Sequence, residues 1–231
     1  MSRFTGKNIL VVGASGAFGS EFCSQLMLAG AAVLGTASSN ESSVRLRSDL
    51  TQRLLLNLED AGSVDTLANY LISQDLTIDG IVLAAGLVAF GNISNTPPAV
   101  TDRLMRVNAL GQIQLVQALL AKLQESADAG REPFVLSISG VIAEVPMPGL
   151  AAYSASKTAL HGYSQAAAKE LRKAGILWVD ARPGHTESGL ADRAIFGSAP
   201  NFGQGKTVPE VVARMLSGIT LGERDLPSTA F

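Results

Sequence analysis

The amino-acid sequence predicts an α/β fold, a doubly wound parallel sheet with helices on both faces. Three observations carry this. Short apolar runs alternate with longer helical patterns along the 231 residues. Hydrophobic residues make up 47% and charged residues 16%, a balance that suits strands covered on both faces. A glycine-rich turn at residues 13–19 joins the first apolar run to the first helical pattern.

The elements follow in order. Residues 8–12, Asn-Ile-Leu-Val-Val, read as a first strand, and residues 17–29 as the helix that leaves it. Residues 32–36 and 53–56 give the second and third strands, with helix 59–73 after them. Residues 80–84 form a fourth strand ahead of a long helical pattern at 101–126. The fifth and sixth strands, 134–138 and 176–181, flank a helix at 152–173, with Gly175 just past its end. A last helix, near 209–218, begins with Pro209, where a first turn tolerates a missing amide. Such alternation means parallel strands with right-handed crossovers. Ligands then bind beyond the carboxyl ends of the strands. No linker, repeat or low-complexity tract interrupts the chain, so residues 1–231 are expected to form one domain. Residues 189–206 form a loop with apolar residues and little regular pattern.

Several classes are excluded. A formal net charge of -2 leaves no basic footprint for nucleic acid. No stretch approaches a membrane span, and the first residues lack a signal-peptide core. The cytoplasm is the expected compartment. Cys23 stands alone, and His161 and His185 lack metal-ligand company, so neither a disulfide framework nor a metal site is expected.

Two motifs point to chemistry. In Gly13-Ala-Ser15-Gly16-Ala17-Phe18-Gly19 the glycines permit a tight turn and close backbone approach to a pyrophosphate. The amides at the helix start would then face the anion. In Tyr153-Ser-Ala-Ser-Lys157, positions four apart share one helix face, so the ammonium can lie near the phenol. A phenol of pKa about 10 is only about a thousandth ionised at pH 7. A fixed cation beside it favours the phenolate. The pair is a candidate acid/base for an alcohol oxygen.

Preceded by Pro148-Gly149 and followed by Thr-Ala-Leu, this run resembles the short-chain dehydrogenase/reductase family, as does nearly the whole chain with its opening glycine turn. The resemblance implies a Rossmann-type nucleotide-binding fold and nicotinamide-dependent redox chemistry on a carbonyl or alcohol. Tyr153 would be the acid/base, and Lys157 would lower its pKa and hold the nicotinamide ribose. Asn108, in Val107-Asn-Ala-Leu-Gly111, matches the residue that deforms its helix and supports a proton relay. Cofactor contacts carry over to Asn57 and Leu58, to Ala84, Ala85 and Gly86, and to Pro183, Gly184, Thr186 and Ser188. Self-association as a homodimer or homotetramer is a further implication, and the loop at 189–206 would be the substrate lid.

The chain also departs from the family's usual pattern. Its glycines are spaced Gly-x-x-Gly-x-x-Gly, and Leu83-Ala84 stands where an Asn-Asn pair is common. After the second strand, where a carboxylate would hold a ribose 2'-hydroxyl, stand Thr36-Ala37-Ser38-Ser39-Asn40. Ser38 and Ser39 can donate to a phosphate and Arg45 can reach it, so NADP(H) is favoured, with NAD(H) as the alternative. The family's substrate-orienting serine falls thirteen residues before the tyrosine, where this chain has Gly140 and, one earlier, Ser139. Either the following loop carries an extra residue and Ser139 takes the role, or the hydroxyl is absent. Two rivals remain: a nucleotide-sensing or interaction protein without turnover, and an epimerase or dehydratase of the family's extended branch.

Overall fold

Asn8–Val12 forms β1, and its side chains alternate between the two faces of the sheet, as the pleat requires. Ile9 and Val11 join one apolar cluster and Leu10 and Val12 the other. A computed structural model describes residues 2–231. Its other strands are β2 (Ala32–Ala37), β3 (Gln52–Leu55), β4 (Gly80–Leu83), β5 (Phe134–Ile138), β6 (Leu177–Ala181) and β7 (Asp225–Leu226). They make one parallel sheet in the order β3-β2-β1-β4-β5-β6-β7. Leu10 of β1 is in register with Leu34 on one side and Ile81 on the other. The chain runs outward from β1 to β3 and then restarts at β4, so a crevice opens beyond the carboxyl ends of β1 and β4.

Helices cover both faces. Ala17–Leu28 (α1) comes first and Asn40–Ser43 (α2) second. Ala61–Ser73 (α3) and Pro98–Met105 (α4) follow. Gly111–Ala118 (α5), Leu120–Asp128 (α6), Ala151–Glu170 (α7) and Val208–Leu221 (α8) complete the set. Phe22 and Leu26 of α1 and Val212 and Met215 of α8 pack on Ile9, Val33 and Leu136. Across the sheet, Leu67 and Leu71 of α3 and Leu115 of α5 pack with Leu10, Ile81 and Trp178. Phe22 is fully buried, and cutting such a side chain to alanine costs about 3–5 kcal/mol. No helix among the described residues is long and apolar enough to cross a membrane.

Local chemistry sets the helix ends. The Asp60 side chain caps α3 by accepting from the Gly62 amide at 2.9 Å, so α3 starts at Ala61 rather than at 59. Thr207 and Glu210 form a capping box ahead of α8, and Gly222 ends it at φ +72°. The single helix expected at 101–126 is instead α4, a π turn at Arg106–Leu110, α5 and α6. Two elements were not expected. The two-residue β7 pairs with β6 at Asp180 and Ala181, and α2 is a single capped turn.

Candidate active site

The crevice is a cleft of about 1060 Å³ whose walls come from the carboxyl ends of the strands. At one end lies the turn after β1. Gly13 holds φ +81°, and a Cβ there would stand 2.9 Å from the Ala85 backbone. A Cβ on Gly19 would stand 2.1 Å from the Gly13 carbonyl oxygen. Those approaches draw the turn tight, and the Gly13 amide donates to Thr36 Oγ1 at 3.0 Å. Gly13, Ser15, Gly16, Ala17 and Phe18 line the cleft. Gly19 does not: it is buried in the first turn of α1, packed against the Gly13 carbonyl. Gly16 is the N-cap of α1 and supplies no side-chain cap. The first amides of that helix are therefore left to an anion.

Beyond β2, Ser38 and Arg45 line the cleft, and Arg45 Nε donates to the Ser15 carbonyl at 3.4 Å. Ser39 corrects the sequence expectation. Its Oγ accepts the Ser42 amide at 3.2 Å, capping α2, and it stays off the cleft wall. Asn57 and Leu58 do line it, with Asn57 Oδ1 accepting the Glu59 amide at 3.0 Å. So do Ala84, Ala85 and Gly86 after β4, and Pro183, Gly184, Thr186 and Ser188 after β6. Arg103 and Glu59, paired at 2.8 Å, add a charged edge that the sequence did not mark out.

Tyr153 and Lys157 project from α7 into the cleft. Tyr153 is half-buried and Lys157 is 5% exposed. Lys157 Nζ donates to the Ile138 carbonyl at 2.8 Å, at the end of β5. Burial pushes the ammonium down to about 8, an effect the Asp180 carboxylate opposes. The phenol goes the other way from the sequence expectation, for burial pushes it up to about 12. Burial is the cause of that rise, so Tyr153 holds its proton at neutral pH.

Asn108 lies in the π turn, fully buried and just behind the cleft wall. Its Oδ1 accepts the Leu87 amide at 2.8 Å, and its Nδ2 donates to the Leu87 carbonyl and to Ser156 Oγ, both at 2.9 Å. A Cβ on Gly86 would meet both Lys157 Nζ (3.5 Å) and Asn108 Oδ1 (3.6 Å). The asparagine thus ties the loop after β4 to α7 beside the lysine. Gln112 reaches back to the Val107 carbonyl at 2.8 Å, bracing the π turn.

Ser139 is a correction. It is fully buried, and its Oγ donates to Asp180 Oδ2 at 2.6 Å, away from the cleft. Gly140 takes the wall position instead, at φ +75° and ψ 162°. A side chain rarely adopts that conformation. The second of the two sequence alternatives holds, and the serine hydroxyl is absent from its usual place.

The far end of the cleft is apolar. Phe90, Ile142, Met147, Leu150, Leu190 and Phe202 line it, and Val88, Phe90, Ile142 and Leu150 pack as a cluster against Tyr153. Residues 189–206 cross this end. The loop is pinned by Ile195 N to the Val88 carbonyl (2.9 Å) and Phe90 N to the Phe196 carbonyl (2.8 Å). It returns beside Thr186 through Lys206. Phe202 packs with tilted rings near Phe90 and His185, at centroid distances of 6.0 and 5.1 Å. These aromatic contacts were not legible from spacing.

Comparison with known proteins agrees with this geometry. The short chain dehydrogenase family profile matches residues 7–195. A dehydrogenase/reductase SDR family protein 7-like of Anopheles gambiae is 27% identical, covering 97% of this chain and 75% of its own. The uncharacterized oxidoreductase YbbO of Escherichia coli K12 is 30% identical, covering 80% of this chain and 68% of its own. Among solved structures, a short-chain dehydrogenase from Sphingobium yanoikuyae in complex with NADPH superposes with TM-score 0.84 at 21% identity. That match covers 96% of this chain and 87% of the other. A 3-ketoacyl-(acyl-carrier-protein) reductase from Brucella melitensis complexed with NADH gives 0.86 at 21%, over 98% and 99%.

Proposed function

The chain belongs to the short-chain dehydrogenase family, and we propose that it interconverts an apolar carbonyl compound and its alcohol, using NADP(H). The observation that carries the reading is the placement of Tyr153 and Lys157 on one wall of the cleft whose other end is the Gly13 turn. The residues present fit a dinucleotide. Gly13 and Ala85 leave backbone at the wall, the α1 amides lack a capping side chain, and Ser38 and Arg45, which line the cleft beyond β2, would hold a 2'-phosphate. When bound, the nicotinamide supplies a hydride to the carbonyl carbon.

The chain's own residues do the rest. Tyr153, with its proton held to about 12, is a neutral donor at pH 7 and delivers that proton to the alkoxide oxygen as it forms. Lys157, charged below about 8, places a cation near the phenolate left behind. Asn108 fixes the loop after β4 against α7, keeping the lysine's surroundings in place. With Gly140 in place of a serine, Tyr153 takes over orienting the substrate oxygen. Phe90, Ile142 and Leu150 exclude water and favour an apolar substrate. Self-association as a homodimer or homotetramer is the expected assembly.

A second reading has one specific observation behind it. Gly140, locked in a glycine conformation, removes a group that assists turnover, as in a dinucleotide-sensing protein. Titration with NADPH followed by a panel of apolar ketones separates the two. NADPH consumption with alcohol formation supports the reductase; tight NADPH binding with no turnover on any ketone or alcohol favours the sensor.

A further inference from the structure

Behind the cleft wall, Asp180 on β6 is 3% exposed and accepts four hydrogen bonds. Ser137 Oγ donates to its Oδ1 at 2.6 Å. Its Oδ2 takes Ser139 Oγ at 2.6 Å, His161 Nδ1 at 2.7 Å and Arg182 Nη1 at 3.2 Å. A buried carboxylate without partners would be strongly disfavoured, and here four donors satisfy it. The donors come from three elements: Ser137 and Ser139 from β5 and its end, His161 from α7, and Arg182 from the end of β6.

Their placement has a direct bearing on the lysine. Ser137 and Ser139 flank Ile138, whose carbonyl receives Lys157 Nζ at 2.8 Å. His161 lies one turn along α7 from Lys157 on the same face. Asp180 therefore grips the strand on both sides of the carbonyl that orients the ammonium, and grips the helix that carries it. We propose that Asp180 is a positioning residue for the reductase reading above, setting through this clamp both the placement and the charge of Lys157. Arg182 completes the anchor. Its Nη1 also donates to Asp225 Oδ1 at 2.7 Å and its Nε to Glu144, whose other oxygen accepts Ser228 Oγ at 2.5 Å.

The charged and titratable groups around the lysine are few. β6 presents Asp180 and Arg182, and α7 presents Tyr153 and His161. Glu144 and Asp225 act through Arg182, while β5 and the π turn present only the uncharged Ser137, Ser139 and Asn108. Asp180 favours the ammonium and burial opposes it. Removing the carboxylate charge should lower the pH at which Lys157 loses its proton.

The test rests on the reductase reading but does not need turnover. NMR of the lysine Cε in the protein without added cofactor follows the Lys157 titration, with Lys157→Arg identifying its signal. In Asp180→Asn the midpoint should fall by about one pH unit, and the alkaline limb of the kcat profile should move to lower pH by the same amount. An unchanged midpoint in a folded variant overturns the proposal. Should that variant not fold, Ser139→Ala keeps the charge and removes one arm of the clamp. The carbonyl carbon shift of Ile138, which reports the bond from Lys157, should then move; a wild-type shift overturns the clamp. A wild-type enzyme without any turnover would defeat the reductase reading while leaving both NMR outcomes decisive for Asp180.

Discussion

Replacing Lys157 with methionine should stabilise this protein while removing its activity. Lys157 is 5% exposed, and burial takes its pKa from the ordinary 10.5 to about 8. Holding it charged at pH 7 thus costs about 3 kcal/mol. Methionine removes that cost and fills similar volume, but the Ile138 carbonyl loses its 2.8 Å donor. That loss is worth about 1 kcal/mol, leaving Lys157→Met about 2 kcal/mol more stable at pH 7. For a chain of this length the gain corresponds to a Tm rise of about 4–8 °C. The pH dependence gives the sharper reading. Between about 8 and 10.5 the native lysine is neutral while the unfolded one still binds a proton, so wild-type stability rises relative to the variant. The variant's advantage is therefore largest below pH 8 and shrinks as pH rises through that window. Tyr153 titrates in both proteins and cancels from the difference. Urea unfolding of both proteins at pH 7 and pH 10 measures it. A methionine variant less stable at pH 7, or a gap that does not change with pH, would refute the reasoning.

Three other outcomes are expected. Ser139→Ala should leave kcat within about tenfold of wild type, since its hydroxyl serves Asp180. It should cost about 1–3 kcal/mol of stability through the weakened buried bond; a rate loss of several orders of magnitude in a folded variant would return Ser139 to the reaction. Calorimetry should find NADPH bound more tightly than NADH, with Arg45→Ala narrowing the gap and Ser38→Asp, at the cleft wall, reversing it. A wild-type preference for NADH would place the phosphate contacts elsewhere. Asn108→Ala removes three hydrogen bonds around Leu87 and Ser156, so both Tm and NADPH affinity should fall; an unchanged affinity would detach the π turn from the cleft.

Much of this architecture was legible because long-range order in an α/β chain is written locally. β1 and β5 stand at residues 8–12 and 134–138, where the apolar runs put them. The glycine turn and the Tyr153–Lys157 pair carry their geometry within a few residues. What escaped depends on neighbours distant in sequence. Ser139 faces the core because Asp180 on the adjacent strand offers it an acceptor, a fact no spacing within 137–141 encodes. Ser39 is a helix cap rather than a phosphate ligand because Ser42 completes its turn. The two residues of β7 are too few to show a period, and pair only because β6 offers an edge. The phenol's pKa rises because desolvation depends on the whole packed cleft, whereas sequence shows only the nearby cation.

The central claim is that Tyr153 delivers a proton during hydride transfer to a carbonyl. It is tested most directly by following deuterium from NADPH deuterated on the transferring face of the nicotinamide C4 into a panel of apolar ketones. The account predicts alcohol carrying deuterium on the carbinol carbon with the wild-type enzyme. With Tyr153→Phe it predicts none above background, at unchanged NADPH affinity. Equal deuterium transfer by the two proteins, or none from the wild type with any ketone, would contradict it.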